Sequence, residues 1–404
     1  MYQEVKVVNI KKRQVACREA DKAPALQASL PATRQLFKKK KMKKYSFKSA
    51  MLLTAAAMLT LTSCSTEDHE DILGNWVWGD VAQNPDPEPE PEPEPTEANP
   101  NIVEAGWVNV SDQFENLPEY LNVYKKDKTT DGDAAIAYIA VADAATAKFE
   151  VASDVAKNAK GEFVAEHVYT PTEFYNNNEK PAVVINGGLF FYNEGLYYSQ
   201  SAVYKDGELK SPNQTYYSID WTNYWYPTLG FFFQDKDGNF RAQWSYYKWT
   251  GVDYLYDEPR KCDPDVYDTD SPDPSDVALN QDNYVKNGIG GIGVLLHDGV
   301  QVNSWKYEML DVSGGSNQPR TAVGYAKDAN RLVFFVCEGR QVTEGVAGMT
   351  LDEVSNQMAA IGCTEALALD GGGSSCMLIN GKETIKPCDD GNAQRAVMSA
   401  CFMR

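Results

Sequence analysis

Asp370 stands at the end of a short apolar run, residues 365–369, and opens directly into Gly371-Gly372-Gly373-Ser374-Ser375. A strand end that delivers a carboxylate into three residues without side chains brings a base or nucleophile beside exposed backbone N–H groups, a setting that suits an anion or oxyanion. The same run also reads as a tight turn, so its neighbours must decide. Arg320, Arg340 and Arg395 occupy loop or strand-edge positions, and a guanidinium can grip phosphate with two parallel hydrogen bonds. Taken singly, each also reads as an ordinary surface charge. Asn186-Gly187-Gly188 follows the apolar run 181–185, and its glycines let the backbone approach a ligand or turn sharply.

Other chemistries are argued against. The chain has 3 histidines, His69, His167 and His297, too few and too scattered for a His-based triad or a multi-His zinc site. The glycine run lacks the Lys-Ser/Thr ending of a phosphate loop and the spacing of a dinucleotide fingerprint. Of 8 cysteines, Cys17 and Cys64 lie outside the expected fold. The other six, Cys262, Cys337, Cys363, Cys376, Cys388 and Cys401, match no zinc spacing; they are open to disulfide pairing, with Cys337 and Cys401 reading as buried free thiols. A net charge of -19 argues against nucleic acid as a partner.

These residues need elements to position them. Alternating or continuous apolar runs between residues 102 and 165 read as strands, above all 135–141 and 149–152. Thr170-Pro171-Thr172-Glu173 and Thr350-Leu351-Asp352-Glu353 are capping boxes that start helices. In the second helix Leu351, Val354, Met358 and Ile361 share one face, and Gly362 stops it. Asp206-Gly207, Asp237-Gly238, Asp298-Gly299 and Asn380-Gly381 mark hairpins. Strand 331–336, the second helix and strand 365–369 form a crossover, which predicts a mixed sheet. The fold class expected is α+β: one large domain, residues 100–404, with a mixed, antiparallel-rich sheet and a few helices. The Asp- and Pro-rich stretch 253–282 reads as a solvated surface insertion. Its carboxylates could hold Ca2+, but it lacks the calcium-loop pattern, so a solvated loop is the reading and no metal or cofactor is expected.

The N-terminal quarter is an address rather than structure. From Met42, Lys43, Lys44 and Lys48 precede an apolar run, 50–61, too short to span a bilayer comfortably. Leu61-Thr62-Ser63-Cys64 closes this segment and resembles a bacterial lipobox with lipidation at Cys64. Residues 42–63 are therefore expected to be a lipoprotein signal peptide, and 1–41 a misassigned upstream extension. Residues 64–99 form an acidic stalk in which 85–95 alternate proline with carboxylates, the composition of an extended spacer. The expected location is the Gram-negative envelope, with the chain anchored by lipid to the outer membrane and exposed at the surface.

Five further features converge. They are 185–190 (INGGLF), 288–299 (GIGGIGVLLHDG), 319–324 (PRTAVG) with 337–340 (CEGR), 348–375 (GMTLDEV through ALDGGGSS), and 394–397 (QRAV). In this order, from about residue 108 to the C-terminus, they resemble the phosphodiester glycosidase family, enzymes of the N-acetylglucosamine-1-phosphodiester type. The resemblance implies hydrolysis of a sugar 1-phosphodiester to a free sugar and a phosphomonoester, with a carbohydrate or sugar phosphate as partner. It implies Asp370 and Glu338 as catalytic carboxylates, Asp370 serving as base for water or as nucleophile. Arg320, Arg340 and Arg395 would hold phosphate, while Asn186, Gly187, Thr321, Gly371, Gly372, Gly373 and Ser374 shape the pocket. Three positions depart from the family pattern: Glu338 replaces Asp, Ala368 replaces Asn, and Gln318 replaces His. The alternatives are a glycan-binding surface lipoprotein that keeps the pocket without the chemistry, using the aromatics between 197 and 256, and a purely structural envelope protein.

Overall fold

The computed structural model describes residues 102–128, 135–220, 222–310 and 312–404. The expected extension 1–41, signal 42–63, Cys64 and stalk 64–99 lie outside the described residues. Among those described, strands dominate. They form sheets of eight, seven, five and four strands, accompanied by two α-helices, α1 (Pro171–Asn177) and α2 (Leu351–Ala360). The α+β expectation is corrected accordingly: the domain is β-rich.

The mixed sheet is corrected too. Strands Arg331–Cys337 and Glu365–Ala368 do run in the same direction on either side of α2, but strand Arg320–Ala326 lies between them and is antiparallel to both. Every strand pairing among the described residues is antiparallel. A strand–helix–strand pattern fixes the relative direction of two strands but not their adjacency.

Both capping boxes form. Thr170 and Thr350 each accept the N–H three residues on, from Glu173 and Glu353, and those glutamates reach back to the cap N–H. All four hairpin signals join paired strands. Asp206-Gly207, Asp298-Gly299 and Asn380-Gly381 place both residues at positive φ, the twist a two-residue hairpin requires.

Alternation along the central strands explains the layering. Phe334 and Leu367 point into a core shared with Val183 and Ile185 of the five-stranded sheet and Phe232 and Trp244 of the seven-stranded sheet. Phe335, Ala366 and Ala368 point the other way, into a cluster closed by Leu351, Val354 and Met358 of α2. Both faces are thus covered, which is why these strands read as continuous apolar runs. The insertion expected at 253–282 is shorter than its sequence suggests. Residues Asp253–Tyr256 and Val277–Ala278 are paired strands, and Asp253 is fully buried, accepting a hydrogen bond from the Tyr204 hydroxyl at 2.9 Å. None of the six described cysteines is paired, and all but Cys388 are buried.

Candidate active site

The strand Glu365–Ala368 ends where three sheets meet, and the backbone beyond it is tied down residue by residue. Leu369 N–H donates to Thr321 O at 2.9 Å, Asp370 N–H to Gly187 O at 3.1 Å, and Gly372 N–H to Pro319 O at 2.9 Å. Asn186, fully buried, supplies the cross-link. Its amide donates to Asp370 O at 2.7 Å and to Gly187 O at 3.2 Å. Its oxygen accepts the Thr321 hydroxyl at 2.7 Å and Cys376 N–H at 3.2 Å. Asn186 and Thr321 therefore act from beneath, fixing the backbone that carries Asp370.

Above this floor lies a cavity of about 310 Å³ lined by Leu189, Ile292, Val312, Ser313, Gln318, Arg320, Arg340, Asp370, the three glycines 371–373 and Arg395. Its volume is at the small end for ligand sites, roughly 300–1,000 Å³. Asp370 is half-buried there. Burial pushes its carboxyl up to about 6, against the pull of the Ser374 hydroxyl, Arg395, the Gly371 N–H and Arg340. The carboxylate is thus ionised at neutral pH yet basic enough to take a proton.

The three arginines divide into different roles. Arg320 is buried and spends its guanidinium on four carbonyls: Met349 at 3.0 Å, Val312 at 3.2 Å, Ser313 at 2.7 Å and Ser316 at 2.8 Å. Burial lowers its pKa to about 10, leaving it a cation at neutral pH. It braces the cavity wall and sets a positive charge behind it. Arg340 is exposed, has φ of 57°, and donates from Nε to Gln318 Oε1 at 2.8 Å. It makes no ion pair among the described residues. Arg395 donates from Nη2 to Asp389 Oδ1 at 2.5 Å and from Nη1 to Ser374 Oγ at 3.4 Å. Burial works against its charge, but Asp389 prevails and holds the pKa above the usual arginine value.

The glycines make room for these guanidiniums. A Cβ on Gly372, whose φ is 61°, would stand 2.6 Å from Arg340 Nη2, and one on Gly373 would collide with the Arg395 guanidinium and Asp389. Their N–H groups serve an anion less than the sequence suggests. Gly371 N–H binds the Asp370 carboxylate, Gly372 N–H binds Pro319 O, and those of Ser374 and Ser375 close the turn on Gly371 O and Gly372 O.

Glu338, expected as a second catalytic carboxylate, is not among the residues that line the cavity. Its side chain is buried outside the cavity lining and accepts Lys386 N–H at 3.0 Å. Gln318, where a histidine was expected from the resemblance, lines the cavity and steadies Arg340. Ala368 is buried with Ile292 in the apolar cluster below the floor. Asp389, Leu189, Ile292, Val312 and Ser313 were missed in sequence. Leu189 and Ile292 lie inside the motif segments 185–190 and 288–299, and Asp389 in an acidic turn six residues before Arg395. Among the described residues no three of His, Cys, Asp or Glu gather as a metal site.

A carboxylate and a row of guanidiniums around one small cavity, set at the junction of antiparallel sheets, define an anion-recognising pocket. The chain belongs to the phosphodiester glycosidase family, whose model matches residues 154–403, beginning later than the residue 108 expected from the motifs. Membership supports a phosphodiester-glycosidase function at the level of the family. The chain is similar in structure to the zebrafish N-acetylglucosamine-1-phosphodiester alpha-N-acetylglucosaminidase catalytic domain, auto-inhibited by its pro-peptide. That similarity is at 20% identity and TM-score 0.49, covering 77% of this chain and 87% of that one. It is also similar to a hypothetical protein from Synechocystis at 14% identity and TM-score 0.46, over 71% of this chain and 62% of that one. A comparison with curated proteins finds no match.

Proposed function

We propose that the protein hydrolyses a sugar 1-phosphodiester at the anomeric C–O bond. The observation that carries this reading is the single cavity in which Asp370 faces Arg340 and Arg395 with Arg320 behind. Water attacks the anomeric carbon while Asp370 takes its proton. The C–O bond breaks, and its electron pair leaves on the phosphate oxygen. The products are a free sugar and a phosphomonoester. A phosphomonoester departs as an anion, so arginines that neutralise the developing charge do much of a general acid's work. One carboxylate in the cavity then suffices, and a pKa near neutrality suits a base. Leu189 and Ile292 offer an apolar wall to the sugar, whose class we take to be N-acetylglucosamine-like from family membership.

The lipobox-like segment ending at Cys64 and the acidic stalk support a lipid-anchored enzyme of the Gram-negative outer membrane acting on glycans outside the cell. Turnover of a chromogenic N-acetylglucosamine 1-phosphodiester, lost in Asp370→Asn, tests the reading. Glu338's place outside the cavity lining favours one second reading, a glycan binder that keeps the pocket without the chemistry, which would show affinity for the phosphodiester and no hydrolysis.

A further inference from the structure

Behind the glycine turn runs a segment that the reaction scheme does not use. Lys386 N–H is held by Glu338 Oε2 at 3.0 Å, and Cys388 Sγ reaches Gly372 O at 3.2 Å. Asp389 ends the segment on Arg395 at 2.5 Å, its Oδ1 lying directly over Gly373. Lys386 Nζ adds a bond to Thr343 Oγ1 at 2.8 Å. Two of these contacts fall on the glycine turn or the arginine above it, and their origin is a buried carboxylate on the strand-end turn that also carries Arg340.

We infer that residues 386–389 are a strap that positions Arg395 over the glycine turn, with Asp389 as the positioning residue and Glu338 as its buried anchor rather than a second catalytic carboxylate. The inference rests on the reading of this cavity as the phosphodiester site. An unanchored strap would release Asp389, and Arg395 would then lose the partner that holds its guanidinium beside Asp370. Glu338 serves here as a hydrogen-bond acceptor, so an amide oxygen can replace it. A proton-transferring carboxylate could not be replaced in that way.

The test uses the folded full-length chain and two readouts. The first needs no activity: the rate of alkylation of Cys388 by iodoacetamide, followed by peptide mapping so that other cysteines do not interfere. Glu338→Ala is expected to label Cys388 roughly 5-fold faster than the parent, the worth of one lost buried hydrogen bond, and Glu338→Gln to label at the parental rate. The second readout is turnover of the chromogenic phosphodiester. Glu338→Ala and Asp389→Ala are expected to raise KM roughly 10-fold or more, with a smaller loss in kcat, and Glu338→Gln to restore most of both. Equal labelling in Glu338→Ala and parent overturns the strap. So does loss of turnover in Glu338→Gln as deep as in Glu338→Ala, which would return Glu338 to the chemistry. Faster labelling in Glu338→Ala in a chain that hydrolyses no phosphodiester upholds the strap and removes the enzymatic reading instead. Should Glu338→Ala not fold, Lys386→Pro deletes the donor while sparing the carboxylate and makes the same comparison.

Discussion

If the protein hydrolyses the phosphodiester as proposed, lowering the pH should switch turnover off through Asp370. Its carboxyl, ordinarily at 3.8, is raised to about 6 by burial. The ionised share is then about nine-tenths at pH 7, half at pH 6 and one-tenth at pH 5. If the carboxylate is the base, kcat/KM follows that share, nearly level above pH 7 and falling about tenfold per unit below pH 6. The linkage to stability has the opposite sense. A folded-state pKa above the unfolded value means that the unfolded chain releases its proton first. The group's contribution to stability is therefore full below pH 3.8 and is lost as pH rises through about 6, a change on the order of 1–3 kcal/mol. Asp370→Asn should accordingly be inactive, yet more stable than the parent at about pH 7.5, the gain shrinking as pH falls towards about 4. Arg395 is among the charges that lower this pKa, so Arg395→Gln should move the acidic limb to higher pH. The assay is kcat/KM on the chromogenic phosphodiester from about pH 4.5 to 8.5, with thermal melts in the same buffers. A flat profile between about pH 5 and 7 in folded protein, or Asp370→Asn with full turnover, would refute the assignment.

Arg340, exposed and without an ion-pair partner among the described residues, is the guanidinium most available to substrate. Arg340→Gln should raise KM, and weaken competitive inhibition by inorganic phosphate, roughly 30- to 150-fold for about 2–3 kcal/mol of charge-assisted hydrogen bonding, with the melting temperature unchanged. Arg320 should behave in the reverse way, because its donors are committed to four carbonyls. Arg320→Met is expected to cost about 3–5 kcal/mol of stability, lowering the melting temperature by roughly 6–20 °C. Calorimetry on both variants checks the contrast, and a large phosphate-affinity loss in Arg320→Met without destabilisation would contradict it.

The features legible in sequence were those whose cause is local. A capping box satisfies its own orphan donors within four residues, so Thr170 and Thr350 marked their helices correctly. Asp-Gly and Asn-Gly turns carry the positive φ that a hairpin demands, and all four joined paired strands. The apolar run before Asp370 reads as a buried strand, and the glycines beyond it as either a close approach to a ligand or a tight turn. What occupies that space was not legible. Arg320, Arg340 and Arg395 are one residue type in three similar-looking positions, yet one braces a wall through four backbone carbonyls, one is held by Gln318, and one is paired with Asp389. Those partners lie at distances in sequence set only by the fold.

The same argument explains why the antiparallel order was missed, and why Glu338 could not be placed outside the cavity lining from sequence. A motif records that a carboxylate sits two residues before Arg340; it does not record which way the carboxylate points. With Glu338 Oε2 on Lys386 N–H and Asp389 on Arg395, the acid in that motif serves the arginine's geometry from a distance. An aspartate at position 338 would be one methylene shorter, and the strap would have to move inward to meet it. On the strap inference the Glu-for-Asp departure concerns where Arg395 stands over the glycine turn, and variation at 338 should appear in KM for the phosphate half of the substrate before it appears in kcat.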